Sequence, residues 1–286
     1  MPSVSEPATL AEAAEAFTAC GSVSIAREGG DVALSTRGLN RVLEHEPGDL
    51  TTIVEAGLRL SELQARLEPH GQMLALDPPG DPTIGACLAA DLSGPRRHRY
   101  GAARDLVIGI TVVLADGTIA SSGGRVVKNV AGYDLGKLFC GSRGRLGLIA
   151  RVALRLHPRP AAEATVVAET DDPRAYWREI QRSQLEPSAV DFLPPNRFAM
   201  LFEGGEAAVA RQVETCPGVK PVTDAVWQES AANQQRGTRI PFHWQTCLLA
   251  RPGSDLAWVE GPAVDGAWSP LAERVRAAFD PEGVLV

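Results

Sequence analysis

Apolar positions recur along this chain in two periods, and the changes from one to the other divide it into elements. Thr9 to Cys20 is rich in Ala and Glu and is followed by Gly21, the pattern of a helix with a glycine stop. Short strands are predicted over Ser22 to Ala26, Val32 to Ser35 and Asp49 to Glu55. Leucines at Leu60, Leu63 and Leu67 then form the stripe of an amphipathic helix closed by Gly71. Leu106 to Leu114 and Thr118 to Ser122 flank Asp116-Gly117 as a β-hairpin, and Tyr133 to Cys140 reads as a short helix. Leu146 to His157 alternates, with Leu148, Ala150, Val152, Leu154 and Leu156 expected on one face and Arg151, Arg155 and His157 on the other.

Pro158 and Pro160 end that strand, and the pattern changes after them. Strands at Ala164 to Ala168, Ala189 to Phe192 and Arg197 to Phe202 alternate with helices at Asp172 to Arg182 and Gly205 to Val213, the order of a ferredoxin-like module. Beyond Cys247 only Leu271 to Phe279 reads as a helix. The expected class is therefore α+β, with one domain over residues 1–160 and a smaller, shortened one over 161–286. A net charge of −7 argues against a nucleic-acid partner, which needs a basic face. The N-terminus has neither the basic nor the apolar region of a secretory signal, and the longest apolar run, Leu106 to Ala115, is about half a membrane span. The expectation is a cytoplasmic protein, at most peripheral to the inner membrane through partners. Five scattered cysteines without a CxxC pair read as free, buried thiols.

Candidate chemistry concentrates between Pro78 and His157. Seven glycines fall between Gly123 and Gly147, where a ligand can lie against bare backbone. Their spacing in GSRGRLG is not that of a Rossmann turn, and the loop precedes a strand instead of opening a helix. Asp81-Pro82-Thr83 opens a helix of small residues, Ile84 to Ala90, which is either a packed core helix or a wall whose N-terminus receives a pyrophosphate. Arg96, Arg97, His98 and Arg99 form either a solvated face or a clamp for phosphate or carboxylate. His98 and His243 are the candidate general bases, beside the commoner reading of structural histidines. No metal-ligand spacing, nucleophile elbow or P-loop occurs.

Taken together, DPPGDPTIGACLAADLSGPRRHRYG, RDLVIG and GGRVVKNVAGYDLGKLFCGSRGRLGLI resemble the FAD-binding domain of the vanillyl-alcohol-oxidase, or PCMH, flavoproteins, and within them the FAD-binding subunits of glycolate oxidases. With LSTRGLNRVLEHEPGDLTTIVEAGLRLSELQARL the likeness covers about Leu34 to Pro160. It implies two α+β subdomains clasping FAD. Pro79, Thr83, Ile84, Gly85, Ala86 and Ala90 would line the pyrophosphate and ribityl wall. Ser93, Gly94 and Tyr100 would lie near the flavin, with Gly144, Gly147 and Ile149 on the opposite side. Arg96, Arg97 or Arg99 would hold a substrate carboxylate. It also implies oxidation of glycolate or a similar 2-hydroxy acid, with electrons passed to a second flavoprotein subunit and an iron–sulfur subunit. The short turn Arg27–Asp31 stands where the family has a longer glycine-rich loop. That difference leaves a non-catalytic assembly subunit, or an NAD(P)H-dependent flavin reductase, as alternatives.

Overall fold

The computed structural model describes residues 3–20, 22–25, 32–124, 134–242, 244, 247–261 and 269–285. The turn Arg27–Asp31, the start of the helix expected at Tyr133, and His243 lie outside the described residues.

Two cores organise the first half. Ser3–Ser5, Val32–Leu34 and Val23–Ile25 make a small parallel sheet with Val32–Leu34 in the middle. The helix Leu10–Ala19 shares its core through Ala13 and Phe17, and Thr9 caps that helix by accepting the Glu12 N–H at 3.2 Å. A five-stranded sheet follows, ordered Val42–Glu46, Thr51–Glu55, Leu148–Arg155, Val107–Val113 and Ile119–Gly123. The helix Leu60–Leu67 packs on it with Leu60, Leu63 and Leu67 all buried, as the stripe predicts.

Leu148–Arg155 departs from strict alternation. Its pairing passes from Thr111↔Arg151 to Val112↔Ile149, so Ala150 is an extra residue. Such a bulge moves the residues beyond it to the other face. Leu148 and Ala150 therefore join the core under Leu10–Ala19, while Val152, Leu154 and Leu156 join the core under Leu60–Leu67. The expected single face is thus divided between two cores, and the strand is a shared wall rather than half-exposed.

A seven-stranded antiparallel sheet begins at Ala162. Four of its strands, in the order Val219–Pro221, Ala162–Glu169, Arg197–Gly204 and Ala189–Leu193, have the 4-1-3-2 arrangement of a ferredoxin-like module. Leu249–Arg251, Leu256–Val259 and Thr238–Pro241 extend it beyond Ala189–Leu193, where the sequence pattern offered only a helix. The chain also does not end in this domain. The helix Pro270–Phe279 returns to the first half, where Phe279 meets Phe139 at 5.8 Å, and the Val23 N–H donates to Val284 at 2.7 Å. Residues 161–286 are therefore not one continuous unit, because the last turn of chain closes the N-terminal cores.

Candidate functional site

The expected glycine wall forms around two touching loops. Gly141, Arg143, Gly144 and Gly147 all have positive φ, and the Gly141 and Arg143 N–H groups donate to Leu88 and Ala89 at 2.9 and 2.8 Å. The loop is thereby bound to the end of the helix Ile84–Ala89. Gly144 brings it against Ile25, the last described residue before the 26–31 segment, and a Cβ there would lie 3.0 Å from the Ile25 Cβ. Gly147 and Ile149 are packed differently. A Cβ on Gly147 would sit 2.5 Å from the Val113 carbonyl, and Ile149 is buried in the main core.

The helix Ile84–Ala89 corrects one expectation about chemistry. Its leading N–H groups are already used: Ile84 donates to Leu58, Gly85 to Ala56, and Ala86 to the Thr83 side chain, at 2.9, 2.7 and 3.2 Å. The start of this helix is closed against Ala56–Leu58 and offers no anion cradle, because its donors have protein acceptors. Gly85 serves the same close packing. Ala86 is exposed, while Pro79, Thr83, Gly85 and Ala90 are half-exposed, so of this group Ala86 offers the most surface to a ligand.

Buried polar atoms without partners mark where a ligand fits. The Ser142 hydroxyl, in the glycine loop, and Asp91 Oδ1, just past the helix, have no hydrogen-bond partner. A buried polar group left unpaired is costly, so each calls for a missing partner. Two orphaned oxygens on loops joined backbone to backbone, one of them with bare backbone at Gly141 and Gly144, suit a large cofactor rich in donors and acceptors.

Tyr100 and Ser93 are held from the other domain, while Gly94 packs against Asp77. The Tyr100 hydroxyl donates to Glu203 at 3.2 Å, and its ring meets His157 edge to face at 4.8 Å. Burial, and then the charge of Glu203, push the Tyr100 phenol up. Ser93 Oγ accepts the Ala103 N–H at 3.2 Å, and the Ser93 carbonyl accepts from Arg251 and Gln234 at 3.2 and 3.0 Å. Pro79 lines a cavity of about 380 Å³ between the domains, together with Asp77, Arg96, Trp227, Gln234 and Arg251.

The arginine run separates into distinct roles. Arg96 Nε donates to Glu203 at 2.9 Å and its Nη2 meets Glu163 at 3.3 Å. Arg99 Nη1 donates to Ser188 Oγ and to the Glu203 carbonyl. These two are interdomain clamps, which removes them as free carboxylate ligands. His98 is wedged beside Trp177, and a Cβ on Gly253 would come within 2.2 Å of its Nδ1. Burial lowers its pKa. That packing removes His98 as an accessible base. Arg97 differs, since its half-buried guanidinium has no hydrogen-bond or ion-pair partner among the described residues. Burial lowers its pKa, with Asp91 opposing this and Arg251 and Arg239 adding to it. A cation in that position favours an incoming anion.

Asp77 was not singled out by the sequence. Burial pushes it up to about 6, against the pull of Arg96 and Arg251, and its carboxylate accepts the Arg96 N–H. The native state therefore holds this proton more tightly than the unfolded chain does. The resulting stabilisation is complete below about pH 4 and is lost as pH rises through 6, roughly 3 kcal/mol in all. Asp77→Asn is expected to flatten the pH dependence of urea stability between pH 4 and 7 by about that amount. An unchanged slope in the variant would assign the titration elsewhere.

Among the described residues, no group of three His, Cys, Asp or Glu could hold a metal ion, and no helix is long and apolar enough to cross a membrane. The five cysteines are free.

Comparison with known proteins bears on this geometry. Residues 15–123 match the family described as FAD binding domain. Glycolate oxidase subunit GlcE of Escherichia coli is 34% identical over 206 residues, 70% of this chain and 57% of that one. Glycolate oxidase subunit GlcD of Bacillus subtilis is 36% identical over 245 residues, 77% and 52% of the two chains. A mitochondrial D-lactate dehydrogenase [cytochrome] of Saccharomyces cerevisiae is 34% identical over 166 residues, 57% and 28%. The chain thus spans about half or less of the length of these relatives. A solved alkyldihydroxyacetonephosphate synthase shares the fold, with a TM-score of 0.72 at 14% identity over 98% of this chain and 76% of that one. The domain match over residues 15–123, the relatives and the glycine wall converge on an FAD-binding domain, with FAD as its cofactor.

Proposed function

We propose that this chain is the FAD-binding subunit of a glycolate-oxidase-type complex that oxidises glycolate or a similar short 2-hydroxy acid. The likeness to two glycolate oxidase subunits and to a D-lactate dehydrogenase carries the reading, since those names share a 2-hydroxy acid. Oxidation to the 2-oxo acid removes a hydride from C2 and a proton from the hydroxyl, and bound FAD supplies the two-electron acceptor. The chain's own part is to bind and orient. Gly144, the Ser142 hydroxyl, Ala86 and Ala90 would hold FAD, with Ser93 and Gly94 at its flavin end. Arg97 would receive the substrate carboxylate, because its guanidinium alone in the arginine run has no hydrogen-bond or ion-pair partner among the described residues. Electrons would leave to a second flavoprotein subunit and an iron–sulfur subunit.

The test is the complex purified with its partner subunits. Anaerobic glycolate, or D-lactate in a parallel sample, should bleach the oxidised-flavin band. A flavin-loaded complex that neither acid reduces would overturn the reading. Arg97→Gln should raise KM about ten- to a hundredfold with a smaller change in kcat, the loss of one charge-assisted hydrogen bond. An unchanged KM would exclude Arg97 as the carboxylate ligand.

A further inference from the structure

Arg251 is the most deeply buried cation among the described residues, 2% exposed, and it lies across the domain boundary from the FAD-binding half. Its Nε donates to Asp191 Oδ1 at 2.9 Å and its Nη2 to Gln234 at 2.8 Å, while its guanidinium stacks on Trp258 at 4.6 Å. Asp191 is fully buried and also accepts from Ser230. Desolvating such a pair is expensive, and an apolar replacement of similar volume is often no less stable. Stability is therefore a poor reason for the network. Its geometry offers a better one.

Arg251 Nη1 and Gln234 Nε2 both end on one backbone oxygen, the carbonyl of Ser93. That carbonyl belongs to the peptide whose N–H is on Gly94. Ser93 and Gly94 are buried, and neither of their N–H groups has an acceptor among the described residues. Buried backbone donors almost always find a partner. Two adjacent unfilled donors, on a turn whose carbonyl is held by a cation and an amide, make a site for an electron-rich group. Hydrogen bonds through one peptide unit strengthen each other, so donation to the Ser93 oxygen makes the Gly94 N–H a better donor. Two residues earlier, Arg239 of the second domain fixes the same turn through the Asp91 carbonyl and Oδ2 at 3.1 and 3.2 Å. Asp91 itself has a φ of 49°.

We infer that the Ser93 and Gly94 N–H groups form a donor site for the electron-rich edge of the flavin, and that Arg251 and Gln234 are positioning residues that set and polarise it from the second domain. The inference rests on the reading that this turn lies at the flavin end of the FAD site. It makes the second domain a part of the cofactor's environment rather than only a cover, and it predicts that the reduced, more electron-rich flavin gains most.

The experiment compares wild type with Gln234→Glu and Arg251→Met, each assembled with the partner subunits and loaded with FAD. Gln234→Glu keeps an acceptor for Arg251 while removing the donor to Ser93, so it breaks the hold on the turn with the ion pair intact. Gln228→Leu, at the same cavity but bonded to neither Ser93 nor Arg251, is the control. Both test variants should bind FAD about three- to tenfold more weakly, shift the flavin reduction potential to more negative values, and change the visible circular dichroism of bound flavin. The control should do none of these. A merely structural role would lower the melting temperature without moving the potential or the dichroism. Wild-type FAD binding with an unmoved potential in both variants would overturn the inference alone. An assembled wild-type complex that takes up no FAD would overturn the flavin reading beneath it.

Discussion

Glu203→Ala is expected to destabilise the protein by about 3 kcal/mol, whereas Glu163→Ala should cost less than about 1 kcal/mol, although both carboxylates pair with Arg96. The difference lies in burial. The Glu203 side chain is 1% exposed and that of Glu163 55%. Glu203 accepts from Arg96 Nε and from the Tyr100 hydroxyl, so truncation strands a partly buried guanidinium and a half-buried phenol together. The Arg99 bond to the Glu203 backbone carbonyl survives the change and holds the two domains in partial contact. Urea unfolding of the two single variants measures the contrast. Equal losses would mean that the interface behaves as a screened surface rather than a buried clamp. A double variant, Arg96→Met with Glu203→Met, should recover much of the loss, since apolar groups of similar volume leave no uncompensated charge.

The parts of this fold that follow from local patterning were legible in the sequence. Leu60, Leu63 and Leu67 needed only helical spacing to be placed in the core, and Asp116-Gly117 only the preference of a tight turn for glycine at positive φ. Thr9 and Asp172 cap their helices as their side chains allow. The bulge at Ala150 was not legible, because an extra residue in a ladder depends on the partner strand and the alternation of Leu148–Leu156 runs through it unbroken. The strands Leu249–Arg251 and Leu256–Val259 have three and four residues, too few to show a period.

The site divides in the same way. The segment after Thr83 and the glycine loop announce themselves by residue type. The separate roles within the run from Arg96 to Arg99 do not, since they are decided by Glu203, Ser188 and Glu163, which lie far along the chain. One signal was available and unused. Asp191 interrupts the apolar strand AVDFL, and Arg251 follows the apolar run Cys247–Ala250. Opposite charges at core positions seldom occur unless they meet.

Gly94→Ala should be among the most damaging single-atom changes in the described residues. A Cβ at Gly94 would lie 1.8 Å from the Asp77 carbonyl oxygen and 2.2 Å from Asp77 Oδ1, so it collides with backbone instead of a side chain that can rotate away. Neither wall can yield cheaply. Asp77 is tied to the Arg96 N–H, while the preceding carbonyl, on Ser93, is held by Arg251 and Gln234. Relief therefore requires either opening the domain interface or pulling the Ser93 turn out of position. Overpacking of this kind typically costs about 1–3 kcal/mol, and with both sides pinned we expect about 3 kcal/mol or more. Two further glycines separate strain in general from strain at this turn. Gly48→Ala meets nothing within 4 Å and should stay within about 0.5 kcal/mol of wild type. Gly57→Ala puts a Cβ 1.8 Å from the Thr36 carbonyl, a comparable clash away from the Ser93 turn. Urea unfolding should therefore rank Gly94→Ala and Gly57→Ala together, while FAD bound per folded molecule should fall further in Gly94→Ala. Equal FAD retention in the two would mean that the Ser93–Gly94 turn is scaffold, with the cofactor's flavin end held elsewhere.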